Sequence, residues 1–497
     1  MRLSERLRTV SLVALLAFAP AGAHGQEADT SGVAPAETSL PPPAAERVGA
    51  DTLVAAGGRA GAERWTLARC VTTALESGGD SRTARARAAQ AHGAALSAWR
   101  GLLPSVSGDL AYSQSRPDKQ SGFRGILQDT TQPGDPTYNI LLGRADYYSA
   151  RGSVDMNLLS LPALAEKRRA DLLRGGAQQG EAETRNTVAY QVKQQYFELL
   201  KAVRLAEVSR ESEKLARDEE ARSEALLQVG TVARGDVLKA RARRAQTQLD
   251  RIRAENQVEV QRSRLKQVMG ISPATPLDIE EILDENVVLP DSLDSIRRAL
   301  RSRPGLSQSL AAERAARAGL FGARSERLPR VTGSLTVDRT RIKERYDLER
   351  LDPLSSMLPE AESDRYATQW AGTVALSIPF FDGLALEGNM KSAKGRLLEA
   401  EAARRQRELD VAVEVQQAWL ALREAEQRIG VAKEGLASAQ EDYRFSKGRY
   451  DLGAGTFLDL LTAEVNLSEA KRAYVEALAD ARVAEADLER AVGEKRY

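Results

Sequence analysis

The chain repeats itself. Residues 102–116, LLPSVSGDLAYSQSR, return as residues 327–341, RLPRVTGSLTVDRTR. Pro104 stands opposite Pro329, Val106 opposite Val331, Gly108 opposite Gly333 and Leu110 opposite Leu335. VGTVARGDVLKA at 229–240 returns as LGAGTFLDLLTA at 452–463, pairing Gly230 with Gly453, Asp236 with Asp459, Leu238 with Leu461 and Ala240 with Ala463. Leu265 and Gly270 return as Leu488 and Gly493. The offset stays near 222 to 225 positions, as a duplicated unit requires.

Each copy follows one plan. A helix over 67–102, then 293–327, leads to a proline and a strand. A long polar loop, about 113–147 and 339–368, separates that strand from a second. A helix over 165–228, then 388–451, follows. A glycine turn and a helix over 231–269, then 456–492, complete the copy. At 1.5 Å per residue the longest helices span about 95 Å, far beyond an ordinary globular helix. The last helix carries an a/d stripe of Leu460, Ala463, Leu467, Ala470, Tyr474, Ala477, Ala481, Ala484, Leu488 and Ala491. The helix before it carries Val411, Val415, Ala418, Leu422, Ala425, Ile429, Ala432, Leu436, Ala439 and Tyr443. Two seams joined by Leu452-Gly453-Ala454-Gly455 predict an antiparallel hairpin of long helices. A second apolar line (Leu461, Val465, Val475, Ala479, Ala486) gives each helix a second neighbour. A solvated coiled coil has the same periodicity.

The strands, about 105–115, 147–158, 330–340 and 368–379, alternate. Ala150, Gly152, Val154, Met156 and Leu158 interleave with Arg151, Ser153, Asp155 and Asn157. Val331, Gly333, Leu335 and Val337 interleave with Thr332, Ser334, Thr336 and Asp338. Trp370, Gly372, Val374, Leu376 and Ile378 interleave with Ala371, Thr373, Ala375 and Ser377. One apolar and one polar face fit a membrane barrel with lipid outside and water inside, and equally a half-buried sheet. Long polar loops favour the barrel. Four strands cannot close one, and an open edge is not tolerated in lipid, so several chains must share it. Three chains supply 12 strands.

The ends read separately. Residues 1–25 carry a secretory signal: Arg2, Arg6 and Arg8, an apolar core from Val10 to Ala19, and small residues for cleavage after Ala23 or Gly25. An N-terminal anchor helix is the alternative. Residues 26–62, rich in Ala, Pro, Gly and Glu, form a disordered leader. The halves are then 63–270 and 293–494, joined by a proline-bearing linker, 271–292. No stretch beyond the signal is apolar for 18 residues, so no transmembrane helix is expected.

Composition excludes other classes. Lys plus Arg number 71 and Asp plus Glu 70, a net charge of +1, unlike a nucleic-acid binder. The two histidines, His24 and His92, and the single Cys70 give no metal set, no histidine-dependent triad and no internal disulfide. Gly453-Ala454-Gly455 lacks the strand and third glycine of a phosphate loop. Runs such as Arg217-Asp218-Glu219-Glu220-Ala221-Arg222 read as solvated helix surface. No enzymatic activity and no cofactor is expected.

The duplicated helix–strand–strand–helix–helix plan, with LPSVSGDL, SIPFFDG at 377–383 and GRYDLGAGTFLDLLTAE at 448–464, resembles the TolC family of outer-membrane efflux ducts over about 66–494. That resemblance implies a mainly α chain with a membrane β-barrel portion: a homotrimeric, 12-stranded barrel continuous with a long α-helical barrel in the periplasm. It implies passive conduction, with a periplasmic adaptor (membrane fusion) protein and, through it, an inner-membrane RND, ABC or MFS transporter. It places the adaptor contact at the tips, Val229, Gly230, Thr231, Leu452, Gly453, Ala454 and Gly455. Tyr450 matches a tyrosine that helps hold the family's closed state, while Gly455 stands in place of its arginine. Asp459 matches the first of two aperture aspartates; Thr462 replaces the second. Asp236 matches the acidic residue of the other hairpin. One acidic ring from Asp459, a second near Asp236, and a different closing latch are therefore expected. The alternative for Asp459 is a helix-capping acid. A type I protein secretion duct would have the same architecture. A periplasmic coiled-coil scaffold without a barrel is the third reading.

Overall fold

The computed structural model describes residues 64–115, 142–281, 283–346 and 362–493, all within the unit Ala56–Tyr497. The signal and leader, and most of both strand-to-strand loops, lie outside the described residues. The element order is α1 (Leu67–Ser77), α2 (Gly79–Ser97), a 3-10 turn (Ala98–Gly101), β1 (Ser105–Ser115), β2 (Leu142–Leu159), α3 (Leu161–Gln228), α4 (Arg234–Met269), α5 (Ser292–Ser302), α6 (Pro304–Ser325), β3 (Arg330–Tyr346), β4 (Glu362–Ser377), α7 (Ala385–Asp451) and α8 (Phe457–Val492). α3 and α7 have 68 and 67 residues, about 100 Å each.

The two first helices of the copies are each broken, where one continuous helix was expected. Gly78 is extended (φ −61°, ψ 139°) and separates α1 from α2. Arg303 is extended (φ −66°, ψ 123°) and separates α5 from α6. The second break has a local cause. Pro304 has no N–H and disfavours a helical conformation in the residue before it, yet suits the first position of a new helix. The first break is tertiary. The αL C-cap Gly270 presses on it: a Cβ there would lie 2.8 Å from Ser77 O and 3.1 Å from Gly78 Cα.

The seams form hairpins as the stripes predict. Val411, Val415, Ala418, Leu422, Ala425 and Ile429 of α7 are buried, as are Leu460, Ala463, Leu467, Ala477, Ala481, Leu488 and Ala491 of α8. Fully burying one such Leu or Val contributes about 1.5–3 kcal/mol. Where α3 meets α6 the residues shrink, and the axes close in. A Cβ on Gly176 would lie 3.2 Å from Ala311 Cβ, and one on Gly322 3.2 Å from Ala165 Cβ. Residues 271–292 pack rather than tether: Leu277 and Ile279 are buried against Val71, Val192 and Tyr196, and Trp65 bridges Ile279.

The four strands form one antiparallel sheet, β1-β2-β3-β4, so β2 and β3 join the two copies. β2 starts at Leu142, β3 runs to Tyr346 and β4 starts at Glu362, further toward the loops than the alternation indicated. Register puts the apolar residues on one face: Val106 opposite Val154, Val154 opposite Leu335, Val337 opposite Trp370. Ser107, Ser153, Arg151 and Asp338 share the other face, where Ser107 bonds Ser153 (2.8 Å) and Arg151 bonds Asp338 (2.5 Å). Among the described residues β1 and β4 each have one strand partner and one open edge.

Candidate functional site at the hairpin tips

Both hairpins turn in the same way. Gly230 (φ +79°) and Gly453 (φ +72°) take the left-handed conformation that ends α3 and α7. Thr231 N–H donates to Leu226 O (3.0 Å) and Ala454 N–H to Arg449 O (2.8 Å), tying off carbonyls of the last turns. The tips are apolar and open to solvent: Val229 is 71% exposed and Leu452 87%. A Cβ on Gly455 would lie 3.1 Å from both Arg449 Cβ and Tyr450 N, so this position is packed against the turn.

The acidic residues beside the turns have different partners. Asp459 is exposed and closes a capping box: its N–H donates to Thr456 Oγ1 (3.1 Å), and Thr456 N–H donates to Asp459 Oδ2 (3.2 Å). The Thr456 side chain, then the Thr456 backbone, hold the Asp459 carboxyl below its usual range. Asp236 is half-buried and ion-paired with Lys239 (3.2 Å), one turn along its own helix. Thr462 donates its hydroxyl to Leu458 O (2.8 Å). Asp459 is therefore both a capping acid and a free-facing carboxylate.

Tyr450 points elsewhere, into the seam between the two hairpins. Its ring meets Phe457 edge-on (centroids 5.9 Å apart), and the Arg222 guanidinium lies 5.7 Å from its centroid. Arg222, on α3, also pairs with Asp451 on α7. Burial, then the charge of Glu219, push the Tyr450 phenol up, while the Ser223 hydroxyl beside it acts the other way. Glu464, 5% exposed, pairs with Arg243 at 3.3 Å. Burial raises the carboxyls of Glu464 and Glu219 above their usual range. Beside the tips, the packing between the hairpins is charged and aromatic.

This corrects the reading of 217–222 as solvated surface. Glu219 has its Oε1 buried without a hydrogen bond among the described residues, Glu220 pairs with Arg244 (3.3 Å), and Arg222 ties the hairpins together. Sequence reasoning missed Arg222 because a charged helical position reads alike facing water or another helix. Nothing local sets it apart: buried Ser212, Ala216 and Ser223 recur at steps of 4 and 7, and Arg222 falls just off that stripe.

Among the described residues no group of His, Cys, Asp and Glu could hold a metal, and no helix is long and apolar enough to cross a membrane. Residues 295–494 match the outer membrane efflux protein family. The chain is 27% identical over 300 residues to protein CyaE of Bordetella pertussis, 60% of each chain. It is 24% identical over 213 residues to outer membrane efflux protein BepC of Brucella suis, 43% of this chain and 42% of that one. The alignment thus spans about 60% of the first curated relative and less of the second. Among solved structures, the outer membrane protein VceC of Vibrio cholerae superposes with a TM-score of 0.69 at 20% identity, covering 86% of this chain and 96% of that one. The open state of the MtrE outer membrane channel of Neisseria gonorrhoeae gives 0.66 at 18%, covering 86% and 88%. These similarities are to channels rather than enzymes.

Proposed function

We propose that the chain belongs to the TolC-like outer membrane efflux proteins and is one of three copies of a passive duct from the periplasm to the exterior. The observation that carries this is the sheet. It is apolar on one face and polar on the other, open at both edges, and continuous with helices of about 100 Å. A single sheet of this kind cannot sit in lipid; three of them close a 12-stranded barrel without edges. The division into copies at 63–270 and 293–494, around the segment 271–292, agrees with the equivalent helix breaks at Gly78 and Arg303.

The substrates are small molecules delivered by an inner-membrane pump through a periplasmic adaptor. That adaptor docks on the exposed apolar tips around Val229, Gly230 and Thr231 and around Leu452, Gly453, Ala454 and Gly455. Asp459 forms the acidic ring of the aperture, since its carboxylate is exposed and ionised; Thr462 lies beside it. Asp236, neutralised by Lys239, contributes less charge. The closing latch is the Arg222 link to Asp451 and Tyr450, which takes the place of the arginine absent at Gly455.

The test is to fractionate membranes, extract with detergent and determine the mass of the native particle. Three copies of the 54.0 kDa chain, each less a cleaved signal, give about 150 kDa in the outer membrane. A monomer soluble without detergent would overturn the duct and favour a periplasmic scaffold.

A further inference from the structure

On the apolar face of the sheet, the register stacks residues into rows. From the helix end outward, a row of Gly108, Gly152, Val337 and Trp370 is followed by Leu110, Ala150, Arg339 and Thr368. The next row is Tyr112, Tyr148, Arg341 and Tyr366, and beyond it Gln114, Asp146, Lys343 and Asp364. Ten residues of β4 separate Leu376 from Tyr366. At about 3.3 Å per residue and a tilt near 40°, that is roughly 25 Å of height, the thickness of a barrel's apolar band. Phe380 and Phe381, 92% and 82% exposed, mark the helix-side border. The tyrosine row marks the other, on the loop side, hence at the outer leaflet.

That border is not an ordinary aromatic girdle. Leu110, Tyr112, Tyr148, Tyr366, Arg339 and Arg341 line a cleft of about 480 Å³ opening on the lipid side. Tyr112 and Tyr148 lie 5.1 Å apart, and the Arg341 guanidinium stands 5.0 Å from the Tyr366 ring centre. The described carboxylates of this face are engaged. Asp146 accepts from Tyr112, Gln114 and Arg144 (each 3.0 Å), and Asp364 accepts both bonds of Arg341 (3.0 and 2.6 Å). The described side chains of the face carry four cations, Arg144, Arg339, Arg341 and Lys343, against those two carboxylates, a net of +2 (4 − 2). Arg339 is exposed one row inside the tyrosines, flanked by Ala150 and Thr368. A guanidinium there must reach along the sheet to the polar layer.

We infer that this cleft binds the phosphorylated headgroup of an outer-leaflet glycolipid. Arg339 and Arg341 face the phosphate, the tyrosine rings face the sugar, and the acyl chains lie on the apolar rows below. Guanidinium forks suit phosphate geometry, and the positive excess suits an anionic lipid over a zwitterionic one. This rests on the membrane reading of the sheet.

The test uses the detergent-purified native oligomer in phosphatidylcholine nanodiscs doped with lipid A or with its dephosphorylated form, read by native mass spectrometry. Expected is selective retention of the phosphorylated glycolipid. Arg339→Gln should cut that selectivity roughly fivefold, and Arg339→Lys should restore most of it, with the oligomer intact in both. Equal retention of the two lipids, or displacement by millimolar inorganic phosphate alone, would overturn the inference while leaving the duct standing. Failure to recover any detergent-soluble oligomer would overturn the duct itself.

Discussion

Gly493 packs so closely on Arg303 that a Cβ on the glycine would lie 3.2 Å from the Arg303 Cα. Gly270 stands in the same relation to Gly78 in the first copy. Each helix break is thus wedged by the left-handed C-cap of the copy's last helix (φ +69° and +80°). The fastenings differ. Arg303, 2% exposed, pairs with Glu183 (3.1 Å) and Glu414 (2.5 Å) and donates to Ala491 O (3.3 Å). Replacing Arg303 by Ala leaves Glu183 and Glu414 with Arg407 as their remaining shared partner (3.6 and 3.1 Å), at a cost of about 1–3 kcal/mol. Thermal unfolding should show the loss. Arg303→Ala with Glu414→Gln should recover part of it, and no recovery would mean the charges are not what holds the joint.

Arg222→Ala removes both the ion pair with Asp451 and the cation–ring contact with Tyr450. Half-exposed pairs of this kind are worth about 1 kcal/mol. That shifts a closed–open equilibrium roughly fivefold. Bilayer conductance should rise in Arg222→Ala and in Asp451→Asn. Wild-type conductance in both would remove the link from the gate.

Asp459→Asn should lower the cation preference of the channel at neutral pH with little loss of stability, since asparagine keeps an acceptor near the helix start. Unchanged ion selectivity would leave Asp459 as a capping residue alone.

Glu219 gives the seam a pH dependence of definite sign. Its folded-state pKa is raised above the ordinary 4.5, chiefly by burial. A carboxyl raised on folding contributes stability that is complete below its unfolded value and is lost as pH rises through its folded one. Glu219→Gln should therefore melt higher than wild type at neutral pH, the gap closing as pH falls toward 4.5. A gap independent of pH would contradict this.

Cys70 is fully buried, and burial pushes its thiol up to about 11. At pH 8 about a thousandth of it is thiolate. Thiol reagents should label it only after unfolding; labelling of the native particle would show that α1 opens locally.

Much of this architecture can be read in the sequence, because two environments of opposite polarity leave a strong period. Val154 and Asp155 alternate between the apolar and polar faces, and Leu460 and Ala463 recur on a buried stripe. The strand ends toward the loops escape, since Arg339, Arg341 and Lys343 are charged on the same face that is apolar nearer the helices. Pro304 marks its break openly. Gly78 does not, because only the approach of Gly270, distant in sequence, makes a break there favourable. At the tips the turns and Asp459 are legible from local chemistry. Tyr450's partner is not: Arg222 comes from the other copy, and nothing local distinguishes it from its charged neighbours.

The duplication has a consequence for whatever meets the mouth of the assembly. In the proposed trimer, three chains that each carry a Val229 tip and a Leu452 tip would make a pseudo-sixfold ring with true threefold symmetry. The two kinds of tip would alternate around it, one bearing Asp236 paired to Lys239 and the other Asp459 held in a capping box with Thr456. A partner built from identical subunits meets two inequivalent seats, and those seats can be filled, and vacated, in order.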